Sequence, residues 1–303
     1  MRETLTVRRG LSRMRSRFTF FKLGNYSILT LVTLLIAYPL YFVIIASFSD
    51  PARVMSGHVF LWVSGFDLEG YRRVLSDQWI WTGFLNSFTY LAGGTTINLT
   101  FTISAAYALS RKDLVGRTFF MSYFVFTMFF SGGMVPLYLL VRGLGLMNTR
   151  FVMMLIGAVN VYYLIVCRTY FISTIPDELL DAAKIDGCSD LAFFGRIVLP
   201  ISTTIIAVMF LFYSVFHWNS FFTAILFIRS RSLFPLQLVL REILVRNQML
   251  SDAIQGLAPD EVGFVSEQIK YAIILVASIP MFVLYPLVQK HFVKGVMIGS
   301  LKG

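Results

Sequence analysis

Charge is scarce in this 303-residue chain: 14% of its residues are Asp, Glu, Lys or Arg, and 57% are hydrophobic. Soluble domains carry about a quarter charged residues and about half apolar ones. With a mean hydropathy of +0.73, the chain holds more apolar surface than a water-soluble fold can hide, and a bilayer must cover it. Cysteine is almost missing, with only Cys167 and Cys188. Both are expected on the cytoplasmic side, which argues against a disulfide, and two isolated thiols make no metal site. No Gly-x-x-x-x-Gly-Lys-Ser/Thr run occurs, so there is no phosphate loop and the chain does not itself hydrolyse nucleotide. No catalytic cluster stands out. The net charge of +10 sits at the ends of apolar runs rather than in a stripe, which favours membrane orientation over nucleic-acid binding.

What the chain does have is long apolar runs. About 20 such residues cross a bilayer core, and six segments meet that test: Leu23 to Ser49, Phe84 to Leu109, Thr118 to Val141, Phe151 to Cys167, Ile201 to Phe222, and Tyr271 to Val288. The first is too long for a signal peptide and has no small-residue cleavage site. The expected fold is an all-α membrane protein of six transmembrane helices. Placing the N-terminus inside makes 1–22, 110–117, 168–200 and 289–303 the inner segments. These hold sixteen basic and seven acidic residues, a bias that puts both termini in the cytoplasm. The organisation read from this is a tail at 1–22, a first helix and outer segment at 23–81, a five-helix core at 82–290 and a second tail at 291–303.

No Asp, Glu, Lys or Arg lies within the six runs. Ion-coupled carriers often place an ionisable or carbonyl-rich site near the midplane. His217 is the one candidate, and it reads as a histidine of the membrane–water interface, with a proton relay as the alternative. The chain must therefore borrow its energy. Pro39, Pro136, Pro280 and Pro286 are expected to kink their helices. Gly93-Gly94 and the hydroxyl-rich stretch to Ser104 read as packing contacts, with substrate contact as the alternative.

One polar stretch interrupts the apolar pattern, at 173–200. Pro176 suits a first helical turn, and Asp177 and Glu178 suit a helix N-terminus. Leu179, Leu180 and Ala183 give an apolar face. Gly187 can end the helix in a left-handed bend, and Ser189 and Asp190 can cap a second helix. Leu191, Phe193, Phe194 and Ile197 are expected to pin that helix to the membrane side.

This stretch resembles the cytoplasmic signature loop of the permease subunits of bacterial ABC importers: Glu-Ala-Ala, three residues, Gly, nine residues, Ile, one residue, Leu-Pro. Asp181, Ala182, Ala183, Gly187, Ile197, Leu199 and Pro200 occupy those positions, and Asp181 for Glu is the single departure. The run Pro136 to Thr149 is similar to the third-span exit of the maltose-type, sugar-importing permeases. Trp218-Asn219-Ser220-Phe221 and the tail Phe292 to Gly303 are similar to two further signatures of that group. The nearest likeness is to the smaller permease of importers for complex oligosaccharides, alginate among them.

The resemblance implies a type I ABC importer permease fold in the bacterial inner membrane. It implies a second homologous permease, two ATP-binding subunits that bind ATP and Mg, and an extracytoplasmic solute-binding protein delivering an oligosaccharide. The permease itself carries no cofactor. The loop, with Asp186 beside the matching residues, would couple to the ATPases. Gly299, Ser300 and Lys302 of the tail would reach between the ATPases, with a solvated basic tail as the alternative. Trp218, Asn219 and Phe221 are candidates for the substrate path, with core packing as the alternative. The outer segment 223–270 would meet the binding protein, and its Arg229, Arg231, Arg241 and Arg246 would suit an acidic sugar or simply a solvated surface. Two other readings remain: the same machinery with a non-sugar solute, and a non-ABC secondary carrier.

Overall fold

The computed structural model describes the backbone of residues 3–254, 269–286 and 289, and the side chains of 20–246, 249, 269–286 and 289. Among the described residues the chain is helical throughout, with one isolated antiparallel bridge between Ser49 and Phe66. The helices are α1 (Glu3–Ser47), α2 (Pro51–Met55), α3 (Glu69–Ser76), α4 (Gln78–Ser110), α5 (Arg117–Phe129), α6 (Met134–Gly143), α7 (Arg150–Leu155), α8 (Val161–Thr174), α9 (Asp177–Ile185), α10 (Asp190–Phe193), α11 (Leu199–Ile201), α12 (Thr203–Trp218), α13 (Phe221–Phe227), α14 (Leu236–Ile254) and α15 (Ile269–Pro286). Two units divide the chain: 1–73 with 251–275, and 74–250 with 276–303.

The second unit is organised on α4, which packs along α12, α8 and α7. Its 33 residues span about 50 Å at 1.5 Å per residue. Asn86, Ser87, Thr95, Asn98 and Thr102 are buried along it. Asn98 Nδ2 donates to the Gly157 carbonyl at 2.7 Å, and its Oδ1 lies 2.5 Å from His217 Nε2. Thr102 Oγ1 and Tyr213 Oη share a hydrogen bond of 2.6 Å. Asn98 and Thr102 thus join helices to one another, whereas the Thr96 and Thr100 hydroxyls turn back to carbonyls of α4 itself. His217 itself is fully buried, in the last turn of α12. Gly94 makes its approach possible, since a Cβ there would clash with the His217 ring.

The expected spans are only partly continuous helices. Two described helices are long and apolar enough to cross a membrane, Phe20–Ser47 and Ile269–Pro286, rising to four if each of two bent pairs counts as one crossing. The run 118–141 is not one rod: α5 and α6 meet at 114°. The break precedes Pro136. It falls at Phe130 to Gly133, where Gly133 adopts φ 84° and ψ 177°, a region open only to glycine. Pro136 sits in the first turn of α6, where its missing N–H costs nothing. Pro39 likewise leaves α1 unbroken. The run 151–167 divides at Gly157, with φ +76°, and restarts at Asn160, whose side chain accepts from the Tyr163 N–H. α12 bends by 80° from the helical stretch before it and stops at Trp218, short of Phe222.

Candidate functional site

The loop 173–200 folds as two short helices joined by a left-handed bend. Pro176 precedes α9 rather than opening it. Asp177 and Glu178 stand in its first turn and Lys184 in its last, each on the end of the helix dipole that favours its charge. The helix closes in two reversed hydrogen bonds: Gly187 N to the Lys184 carbonyl at 3.0 Å, and Cys188 N to the Ala183 carbonyl at 2.9 Å. This closure needs a left-handed residue between them, and Gly187 has φ +74°. Ser189 Oγ then accepts from the Ala192 N–H at 3.3 Å to open α10. A π-turn over Phe194–Val198 follows, with the Leu199 N–H donating to the Phe194 carbonyl. The extra residue falls one turn ahead of Pro200, whose ring cannot accept a regular helical carbonyl at its back.

The loop has a clear inside and outside. Ala183, Phe193 and Val198 are buried in a cluster with Ala106, Leu109 and Phe171. Ile197 and Leu199 are half-buried, while Asp181, Ala182, Asp186, Gly187 and Pro200 are exposed. Leu191 does not pin the loop: it is 83% exposed. Ile185, which the sequence reading passed over, is 87% exposed. Its signal was its place three residues after Ala182, on the same helix face. Two large apolar side chains therefore project from either flank of the bend.

The linker after α4 meets this loop with charge. Lys112 Nζ lies 2.6 Å from Asp177 Oδ2. Arg111 holds Asp113 through two contacts of 2.9 and 2.6 Å and approaches Asp190 at 3.4 Å. The Arg111 hydrogen bonds hold the Asp113 carboxyl down at about 2. Bonding to Asp177 pushes the Lys112 ammonium above the ordinary lysine value.

The other sequence candidates are scattered. Trp218 is buried against Phe84 and Phe88, and its Nε1 donates to the Ala277 carbonyl at 3.2 Å. Asn219 is exposed and donates to the Val215 carbonyl at 2.9 Å. Phe221 is 40% exposed, with the Arg241 guanidinium 5.9 Å from its ring centre. Arg231 lies over Trp79 at 4.5 Å and 3.5 Å from Glu242. Arg229, Arg241 and Arg246 are exposed. Gly299, Ser300 and Lys302 lie outside the described residues.

Residues 98–298 match the family of binding-protein-dependent transport system inner membrane components. The chain belongs to this family. It is a permease subunit of an ABC importer, an inner-membrane transport component whose ATP is bound by partner ATPases. The permease is 40% identical over 287 residues to the polygalacturonan/rhamnogalacturonan transport system permease protein YtcP of Bacillus subtilis (strain 168), covering 93% of this chain and 98% of the relative. It is 38% identical over 268 residues to protein LplC of the same organism, with 88% and 89% covered. It also matches a crystal structure of a bacterial ABC transporter involved in the import of the acidic polysaccharide alginate, at a TM-score of 0.80 and 34% identity, covering 90% of this chain and 96% of that one.

Proposed function

We propose that the permease carries an oligosaccharide delivered by an extracytoplasmic binding protein, and that the 173–200 loop is where ATP-driven motion enters it. The observation that carries the second half is the exposed pair Ile185 and Leu191 on a bend whose backbone is closed by its own hydrogen bonds. Covering a side chain of this size stabilises a contact by about 1.5–3 kcal/mol, so a groove on an ATPase subunit gains from receiving both. Asp181 and Asp186, exposed beside them, orient the contact. A second permease and two ATP-binding subunits complete the machine. Six crossings put both termini in the cytoplasm, and Gly299, Ser300 and Lys302 reach toward the ATPases. On the outer side, Phe221 offers a ring face for a sugar, with Trp218 and Asn219 as the other residues of the substrate path. Relatives named for polygalacturonan/rhamnogalacturonan and for acidic alginate favour a cargo with carboxylates, which the exposed Arg229, Arg241 and Arg246 suit.

The test is Gly187→Asp. A Cβ has space there, the left-handed backbone costs about 1–2 kcal/mol for most residues and less for an aspartate, and the new carboxylate enters the contact itself. Uptake is expected to be lost with membrane abundance unchanged. Ile185→Asp changes only an exposed position and is expected to lose uptake as well. Normal import by both variants would end the coupling reading.

A further inference from the structure

The coupling loop does not hang from the membrane by its two ends alone. The linker Arg111-Lys112-Asp113 reaches both of its helices: Lys112 bonds Asp177 at the start of α9, and Arg111 approaches Asp190 at the start of α10. Arg111 Nη1 also donates to Tyr107 Oη at 3.0 Å. The Tyr107 ring stacks on Phe194 with centroids 4.8 Å apart, and meets Phe171 edge-on at 5.9 Å. Beside them, Arg168 Nε donates to the Leu109 carbonyl at 2.9 Å. The cytoplasmic end of α4 is thus fixed to α8, α9 and α10 together.

The two cations differ in weight. Lys112 and Asp177 are 74% and 62% exposed, so water and salt screen their attraction. The Arg111 side chain is only 14% exposed and serves two carboxylates and a phenol at once. A planar fork is suited to that task, and a lysine is not.

We propose that Arg111 is a positioning residue for coupling: with Lys112 it clasps both helices of the 173–200 loop to the cytoplasmic end of α4, so that loop and core helix move as one body. This rests on the coupling reading of the loop. α4 suits the role because rigid helices carry displacement and because its far end is also tied. Asn86 Nδ2 donates to the carbonyls of Ser232 and Phe234 at 2.8 and 3.1 Å, and Tyr90 Oη donates to that of Leu233 at 2.7 Å. A push on α9 and α10 is delivered to the outer segment through one rod.

The test uses the full importer in liposomes, with an oligogalacturonate as cargo probe, and measures uptake and ATP hydrolysis in the same preparation. Arg111→Ala is expected to co-purify with the ATPases and to hydrolyse ATP, yet to move about tenfold less cargo per ATP, the scale set by losing hydrogen bonds to a charged group. Arg111→Lys is expected to fall between, because it keeps charge without the fork. An unchanged ratio in both would overturn the clasp. Lys112→Asp and Asp177→Lys give a second arm on exposed positions, where a substitution costs folding little. Each alone is expected to lower cargo per ATP about twofold, as an exposed pair allows, and the double reversal to restore it. A double variant no better than either single also overturns the proposal. Gly187→Asp is run in parallel: normal import there removes the coupling reading itself, whereas a dead Gly187→Asp beside unaffected Arg111 and Lys112 variants removes only the clasp.

Discussion

Asn148 shows how much one residue can carry. It is the one described non-glycine residue with positive φ, at 57°, in the left-handed region that asparagine tolerates better than most. Its N–H donates to the Phe227 carbonyl at 2.8 Å, its Nδ2 donates to Ser230 Oγ at 2.8 Å, and its Oδ1 accepts from the N–H groups of Arg229 and Ser230 at 3.0 and 2.9 Å. The segment after α6 is thereby stapled to the segment after α13. Asn148→Ala is expected to cost about 2–3 kcal/mol, because two amides lose their acceptor and the backbone is strained. Asn148→Gly keeps the backbone at ease and should recover part of that loss. Thermal unfolding in detergent reads both, and an alanine variant as stable as the parent would make the staple idle. In the sequence, Asn148 was visible only through its resemblance to a family signature; its left-handed backbone leaves no mark on composition. Leu191 was misread for a related reason. An apolar residue in a membrane protein invites an inward assignment, and only the helix phase after the Gly187 bend turns it outward.

At the scale of elements, the crossing of α4 over α12 depends on what Gly94 lacks. A methyl there clashes with the His217 ring, while one at Gly93 meets Met154 Sδ at 2.7 Å. The imidazole is held by Asn98 and cannot yield; a methionine side chain is flexible and can. Gly94→Ala is expected to destabilise by about 1–3 kcal/mol, the cost of overpacking, and Gly93→Ala by clearly less. Unfolding midpoints compare the two, and the opposite order would remove the argument. The short helices of the 173–200 loop were legible because caps, acids and a bend glycine act over a few residues. The broken spans were not. Uniformly apolar runs such as 118–141 and 151–167 have no period to lose, so a turn inside them is marked only by Gly132-Gly133 or by Gly157 with Asn160.

For the whole molecule, composition alone was decisive about the bilayer, and the spacing from Asp181 to Pro200 about the kind of machine. Cargo belongs to neither. The assembled importer, given its loaded binding protein, is expected to hydrolyse ATP faster with uronate oligosaccharides than with neutral ones. Equal stimulation by neutral sugars would remove the acidic preference, and silence toward every sugar would remove the carbohydrate reading.

The interruption between α5 and α6 has a consequence for assembly. Helix ends leave amides and carbonyls that their own turns cannot satisfy, and hydrocarbon supplies neither donor nor acceptor. None of the residues of α5 is buried and Phe130 to Gly133 are exposed, so among the described residues nothing wraps the gap between the two helices. In hydrocarbon, such groups must be met by water or by polypeptide beyond the described residues. In the proposed assembly a second permease would supply that cover, so pairing would protect the chain in the membrane before it served transport.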